Sequence, residues 1–358
     1  MYKSTEKPEL LLIWGTRPEA LKWKYWVSWR RSPFNLVCLH TRQHYDQNML
    51  GRAYNGILAK HPHHIHYQFT GSLQSQEELN SYLDGILLKH PIRAVLVWGD
   101  THSALWGALW ANSKKIPLVH LEAGMRSHLL NQTEEGIRRR IDALTQLYIC
   151  PHKSSQDELI KEGWLEQPTD SRALILPDMI YWSLPRTSQR PANPPTASIL
   201  ATLHRRETIQ HPETLRYWVQ SLETLAQSCA ITWVLHPHTQ ECLRQHQIPL
   251  PKGIALLPPL GQRRFFDLLH KHTLFITDSG GAFVESVISG TPVCCFRPAT
   301  EWHWLLKTNS AELSPPDHRS LVKQALRLLA QEQIQPKPFP SPVPSLRRLA
   351  DFLLRNLK

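Results

Sequence analysis

The stretch that most constrains this chain runs from Val95 to Asp142, VLVWGDTHSALWGALWANSKKIPLVHLEAGMRSHLLNQTEEGIRRRID. The apolar run Val95-Leu96-Val97-Trp98 breaks at Gly99-Asp100-Thr101. A helical pattern with Ala104, Leu105, Ala108 and Leu109 follows, ending at Lys114-Lys115. A second short run from Pro117 to Leu121 leads straight into Glu122-Ala123-Gly124. Short apolar runs separated by one helix predict a β-α-β unit of a buried parallel sheet. In such sheets ligands bind outside the carboxyl ends of the strands, where Asp100 and Glu122 stand. Two carboxylates at one crevice suit acid/base chemistry. Glu134-Glu135 open the next helix, with Arg138 one turn on. Asp100 equally fits a helix N-cap; Glu122, between an apolar strand and a glycine, is less readily explained in that way.

At 358 residues, two domains are expected. The 41% hydrophobic content, without an apolar run near the roughly 18 residues of a membrane span, predicts a soluble chain. The opening MYKSTEKPEL lacks an apolar signal core, so the cytoplasm is the expected compartment. The six cysteines show no CxxC spacing, and Cys294 and Cys295 are adjacent in a strand; free thiols are expected. No HExxH accompanies the twenty histidines, and His61, His63 and His64 sit beside a proline in an expected loop, so no metal is expected. A net charge of +11 suits anionic partners. Without zinc-finger spacing or an aromatic-basic RNA motif, a phosphorylated substrate is the economical reading and nucleic acid is not expected.

The flanking sequence repeats the alternation. Leu10 to Trp14 reads as a strand, followed by Gly15-Thr16-Arg17-Pro18-Glu19. A glycine turn feeding a helix start can bind an anion, and Arg17 and Lys22 could add charge; an ordinary strand-to-helix turn fits equally. Asn35 to Leu39 and His64 to Phe69 read as strands, and Ser75 to His90 as a helix. Prolines and serines between Leu184 and Thr196 mark a linker or loop. A second β-α series starts at Ser198. There Thr277-Asp278-Ser279-Gly280-Gly281 ends a strand and opens a helix, a second phosphate candidate. His204-Arg205-Arg206-Glu207 and His236-Pro237-His238 also follow strands. The C-terminal stretch from Leu346 to Leu357 is amphipathic; it suits a membrane surface or packing on the protein's own body, the commoner outcome. The expected architecture is α/β, with two Rossmann-like doubly wound domains facing a cleft, spanning 1–178 and 179–340, and a terminal helix over 341–358.

The pieces GTRPEALK at 15–22, TRQHYDQNM at 41–49, GDT at 99–101, EAGMRS at 122–127, EEGIRRRID at 134–142, HRRE at 204–207, DSGG at 278–281 and GTPVCCFRPATE at 290–301 are each short. Together, and in this order, they resemble the non-hydrolysing UDP-N-acetylglucosamine 2-epimerase family. The resemblance implies a GT-B-like fold, a UDP-sugar substrate, no cofactor and a homodimer. It implies elimination of UDP across carbons 1 and 2 of the sugar, then re-addition with inverted configuration at carbon 2. Carried over by motif, Asp100, Glu122, Glu135 and His204 form the acid/base set. Arg17 and Lys22 would hold phosphate or sugar, Arg138 would also contact substrate, and Phe265, Ser279, Gly280, Gly281 and Glu285 would line the nucleotide site. Gln43, Arg205 and His236 match positions that bind a second substrate molecule in some members.

Several positions depart from that pattern. Ile137 stands where asparagine is usual, Phe283-Val284-Glu285 where Gln-Glu-Glu is usual, and Trp302 replaces an arginine. Pro177-Asp178 stands for Gly-Asn, and Arg42 for a glycine. These changes leave the first-domain carboxylates intact and alter the second-domain substrate wall. They keep two alternatives in view: a glycosyltransferase or UDP-sugar hydrolase on the same fold, and a non-enzymatic sugar-nucleotide sensor.

Overall fold

The computed structural model describes residues 7–43, 64–71, 75–129, 132–184, 197–331 and 341–357. The TRQHYDQNM motif beyond Gln43, His61, His63 and the linker from Pro185 to Thr196 lie outside them. The chain divides into two compact units, Met1–Ser183 with Pro340–Lys358, and Leu184–Phe339. The division falls after Ser183, because a 3-10 helix at Pro177–Ser183 places Met179 and Trp182 in the first unit's core.

The first unit begins β1 (Glu9–Trp14), α1 (Arg17–Val27), β2 (Asn35–His40), β3 (His64–Gln68), α2 (Gln76–Leu87) and β4 (Ile92–Trp98). It continues α3 (His102–Ser113), β5 (Leu118–Leu121), α4 (Thr133–Leu144), β6 (Leu147–Cys150), α5 (Lys153–Lys161) and β7 (Ala173–Ile175). The strands form one parallel sheet in the order β3-β2-β1-β4-β5-β6-β7. Parallel strands covered on both faces read as continuous apolar runs, and alternate side chains enter opposite cores. Leu10, Leu12, Trp14, Leu96 and Trp98 join Trp23 and Trp26 of α1 on one face. Leu11, Ile13, Val95 and Val97 meet α2 and α3 on the other.

The second unit contains β8 (Ser198–Leu203), α6 (Arg206–Ile209), α7 (Pro212–Leu225), β9 (Ala230–Leu235), α8 (Pro237–Gln245), β10 (Ala255–Leu257) and α9 (Gln262–Leu269). After these come β11 (Leu274–Thr277), α10 (Gly280–Ser289), β12 (Val293–Phe296), β13 (Ala311–Ser314) and α11 (His318–Leu329). Its parallel sheet has the order β10-β9-β8-β11-β12-β13 around its own core. Two such Rossmann-like α/β halves constitute a GT-B-like fold.

The terminal helix α12 (Pro342–Asn356) returns to the first unit. Its apolar stripe, Leu346, Leu349 and Leu353, is buried in the cluster that holds Trp23, Trp98 and Trp182. Trp182 Nε1 donates to Ser345 Oγ at 3.1 Å, and Arg348 to the Ile175 carbonyl at 3.0 Å. The apolar face that could meet a membrane surface is thus already covered. No helix among the described residues is long and apolar enough to cross a membrane. Many of the tryptophans serve the same cores: Trp14, Trp23, Trp26, Trp98, Trp110, Trp182, Trp218 and Trp233 are fully buried.

Leu349 is wholly buried, and truncating such a leucine costs about 2–5 kcal/mol. Leu349→Ala is therefore expected to move the first unit's urea transition to lower concentration. An unmoved transition would mean that α12 adds nothing to that core.

Candidate functional site

In a doubly wound sheet the ligand crevice opens where the strand order reverses. In the first unit that point lies between β1 and β4, flanked by Gly15-Thr16 and Gly99-Asp100. Gly15 is required by packing: a Cβ there would collide with Ser103 Oγ and stand 2.6 Å from Thr41 Oγ1. Gln43 Oε1 accepts from the Ser103 amide at 2.9 Å and hydroxyl at 2.8 Å, so this side chain is bound into the start of α3. Glu19 holds the turn together. Its Oε2 accepts from the amides of Gly15 and Thr16 at 3.0 and 2.9 Å and from Thr16 Oγ1 at 2.7 Å. Thr101 Oγ1 donates to its other oxygen at 2.9 Å, joining the two loops. Burial pushes the Glu19 carboxyl above its ordinary value, against these hydrogen bonds, which favour the carboxylate.

Thr101, not Asp100, caps α3. Asp100 is thereby released from the capping role and pairs with Arg138 of α4. Arg138 also approaches Glu135 Oε2 at 3.4 Å, and the same oxygen accepts from the Ser127 amide at 2.9 Å and hydroxyl at 3.0 Å. Glu135 is almost fully buried, whereas the Asp100 side chain is 28% exposed. Glu122 follows β5 with φ +69°, a left-handed conformation uncommon outside glycine and worth a functional reading. Lys22 Nζ donates to its Oε1 at 2.6 Å. Asp100, Glu135 and Arg138 therefore form one connected group, and Lys22 and Glu122 form a second beside Gly99. Arg17, the first residue of α1, follows the same turn.

A buried chain of charges lies beneath both groups. His120 is fully buried; its Nε2 donates to the Gly99 carbonyl at 2.9 Å and its Nδ1 meets Asp142 Oδ1 at 2.7 Å. Asp142 Oδ2 accepts from the Gly124 amide at 3.2 Å and pairs with Arg126 Nη2 at 2.8 Å. Arg126 in turn binds Glu162 bidentately, at 2.9 and 2.6 Å. One imidazole–carboxylate pair thus ties the residue before Asp100 to the loop that carries Glu122. Burial alone would raise the Asp142 carboxyl; His120 and Arg126 outweigh it and hold the group below its ordinary value.

The second sheet reverses between β8 and β11, and its candidates flank that point. Asp278, fully buried, accepts from the amides of His204 and Arg205 at 3.2 and 2.8 Å. Ser279 caps α10, its Oγ accepting from Ala282 N at 3.4 Å. A Cβ on Gly280 would stand 2.7 Å from Glu301 Oε1, 3.4 Å from Arg297 Nη1 and 3.7 Å from Arg205 Nη2; Gly281 is open. Two guanidiniums and the positive end of a helix therefore converge at this glycine pair. Arg205 also pairs with Glu207 at 2.9 Å. Beside it His204, His236 and Phe265 line a largely apolar pocket of about 150 Å³ with Val234, Pro259 and Leu260. Glu285 accepts from Gln262 Nε2 at 3.1 Å.

The substituted positions have turned inward. Phe283 is fully buried, Ile137 lies in the core shared with α3, and Trp302 is 6% exposed with its ring 5.3 Å from that of Trp304. Trp302 is a packing group and presents no open stacking face. Glu19, His120, Asp142 and Asp278 are the residues that sequence reading passed over. The T-R-P-E capping box at Thr16 to Glu19 was the one available signal; the other three act on backbone groups brought together only by folding.

The chain matches the description UDP-N-acetylglucosamine 2-epimerase over residues 28–342. It is 29% identical over 91% of its length to a UDP-2,3-diacetamido-2,3-dideoxy-D-glucuronate 2-epimerase of Pseudomonas aeruginosa, covering 94% of that protein. With a UDP-N-acetylglucosamine 2-epimerase of Methanocaldococcus jannaschii it shares 26% identity over 92% of this chain and 95% of the other. The crystal structure of the M. jannaschii UDP-GlcNAc 2-epimerase in complex with UDP-GlcNAc and UDP superposes with a TM-score of 0.81 at 25% identity, covering 97% and 99% of the two chains.

Removing one member of a buried ion pair leaves an uncompensated charge and costs about 3–5 kcal/mol. Asp142→Asn is expected to destabilise the first unit by that order in urea unfolding. The sign of the pH effect follows from the lowered Asp142 value. Its contribution is complete above the unfolded carboxylate range, about 3.9, and is lost as pH falls through the lower folded value. The variant should lack that acid-sensitive component; an identical acid profile would remove Asp142 from this role.

Proposed function

The chain belongs to the UDP-N-acetylglucosamine 2-epimerase family, and from that premise we propose that it interconverts UDP-N-acetylglucosamine and UDP-N-acetylmannosamine, or a closely related UDP-sugar pair. Enzymatic activity of the UDP-sugar 2-epimerase kind follows from the family match and the fold. The finer reading rests on Glu122. Its backbone is held left-handed, one carboxylate oxygen is bound by Lys22, and the other lies beside Gly99.

Carbon 2 of such a sugar has no adjacent carbonyl to stabilise a carbanion. Its proton can leave only as the bond from carbon 1 to the diphosphate oxygen breaks. Glu122 takes that proton, the electron pair becomes the double bond between carbons 1 and 2, and UDP departs with the bonding pair. In the return step UDP re-adds at carbon 1 and carbon 2 is protonated on its other face. Asp100 and Glu135, joined through Arg138, and His204 complete the acid/base set. Arg17 contributes positive charge toward the anionic substrate. UDP is held at the start of α10 by Ser279, Gly280, Gly281 and Arg205, with Phe265, His236 and Glu285 around the nucleoside. The reaction needs no cofactor. We further propose that the enzyme works in the cytoplasm as a homodimer.

A second reading, transfer or hydrolysis of the sugar, is favoured by the altered residues Phe283 and Trp302. Their burial makes them changes of packing, which weighs toward epimerisation.

The test is incubation in deuterated water with a panel of UDP-sugars, including the diacetamido-glucuronate of the Pseudomonas relative, followed by proton NMR. An epimer carrying deuterium at carbon 2 is expected. Free sugar with UDP would establish hydrolysis instead, and epimer without deuterium would exclude proton exchange at Glu122. Glu122→Gln should lower turnover about 10²–10⁴-fold while UDP still raises the melting temperature. Full activity in that variant would remove Glu122 from the mechanism.

A further inference from the structure

Trp98 is the last residue of β4, immediately before Gly99-Asp100, and is fully buried. Its ring is fixed by two edge contacts, to Trp23 at 4.9 Å and 83° and to Trp182 at 5.7 Å and 69°. Its indole N–H has no acceptor among the described residues, so no hydrogen bond within them accounts for its orientation. The Lys22 ammonium lies over the ring, 5.3 Å from its centroid. That same nitrogen is 2.6 Å from Glu122 Oε1, and the Lys22 side chain is 21% exposed. A cation mostly removed from water is thus held between the negative face of an indole and a carboxylate. Cation–π attraction is strongest for tryptophan and grows as the cation is desolvated.

This arrangement makes the two oxygens of Glu122 inequivalent. Oε1 is occupied by Lys22. Oε2 would stand 3.3 Å from a Cβ on Gly99 and accepts no hydrogen bond from the described residues. Lys22 has a flexible four-carbon stem and three equivalent donors, so nothing intrinsic to it favours Oε1. The ring of Trp98 is the second group that meets this ammonium, 5.3 Å from its centroid while Oε1 lies at 2.6 Å.

We infer that Trp98 is a positioning residue for the reaction. By seating Lys22 against Oε1 of Glu122, it directs proton exchange to Oε2. The inference rests on the reading of Glu122 as the proton-handling group. It assigns to Trp98 a task beyond filling the core, and it explains why a tryptophan in this cluster ends the strand that leads into the site. Two other indoles of the cluster, Trp23 and Trp182, brace the ring.

The test separates the electrostatics of the ring from its bulk. Trp98 is replaced site-specifically by tryptophans carrying one to three ring fluorines, which nearly preserve shape while weakening the negative face. Turnover of the best UDP-sugar is expected to fall stepwise with fluorine number, with KM and the unfolding midpoint unchanged. Trp98→Leu should lower kcat about tenfold, and Trp98→Phe should recover part of that loss. A flat kcat across the fluorinated series, or losses that track stability alone, would overturn the inference. A readout independent of activity is the ε-methylene proton shift of Lys22, assigned with Lys22→Arg. It should be moved upfield by the ring in the unmodified protein and return to an ordinary value in Trp98→Leu. An unshifted resonance in the unmodified protein would overturn the seating itself. If the shift is present but no UDP-sugar is epimerised, the functional reading fails and the catalytic role of Trp98 fails with it. If epimerisation occurs and the series is flat, only the role of Trp98 fails.

Discussion

The geometry of the first unit's site depends on the pairing of His120 with Asp142. Neither side chain is accessible, yet between them they bind the carbonyl before Asp100 and the amide just beyond Glu122. Strand pairing alone sets the spacing of β4 and β5 but leaves the loops beyond them free. Gly99 and Gly124 both have positive φ, +71° and +73°. Glycine enters that region readily and is equally ready to leave it. The imidazole and carboxylate supply the missing constraint, and Arg126 together with His120 offsets the charge of Asp142 so that a buried carboxylate is tolerated.

The carboxylates of this protein differ in the groups they bind. Glu19, Asp142 and Asp278 are almost wholly buried, and each accepts hydrogen bonds from backbone amides next to a strand end. They shape loops. Glu122, also buried, and Asp100, partly exposed, are instead paired with cations, Lys22 and Arg138. Glu135 is buried and does both: it accepts from the Ser127 amide, and its partner Arg138 also holds the partly exposed Asp100. The two units use the same device, since Asp278 fixes the turn after β8 as Glu19 fixes the turn after β1.

The architecture and the chain positions of the candidate residues could be read from the amino-acid order because they depend on local pattern. Apolar runs such as Leu10 to Trp14 and Val95 to Trp98 are continuous because both faces of the sheet are covered. What could not be read was the partner of each acid. Asp100 fits an N-cap as well as a reactive group until Thr101 is seen to take the cap and Arg138 the aspartate. Asp142 draws no reading of its own, and only folding brings it against His120, 22 residues earlier in the chain. Trp98 reads as one more apolar strand residue, and only the placement of Lys22 over its ring distinguishes it. Contacts between side chains distant in sequence have no local period to announce them.

The departures from the family pattern fall into the same division. Ile137, Phe283 and Trp302 are apolar where polar groups were expected, and all three are buried. A lone polar group lost from a site leaves its partner unsatisfied; replacement by packed apolar groups avoids that cost when the partner is changed as well. Trp302 against Trp304 is such a replacement. Charged groups remain at the start of α10, where Arg205 and Arg297 lie beside Gly280 with Glu301 at hand. The substituted side chains therefore lie in the packing, while Asp100, Glu122 and Glu135 keep charged partners.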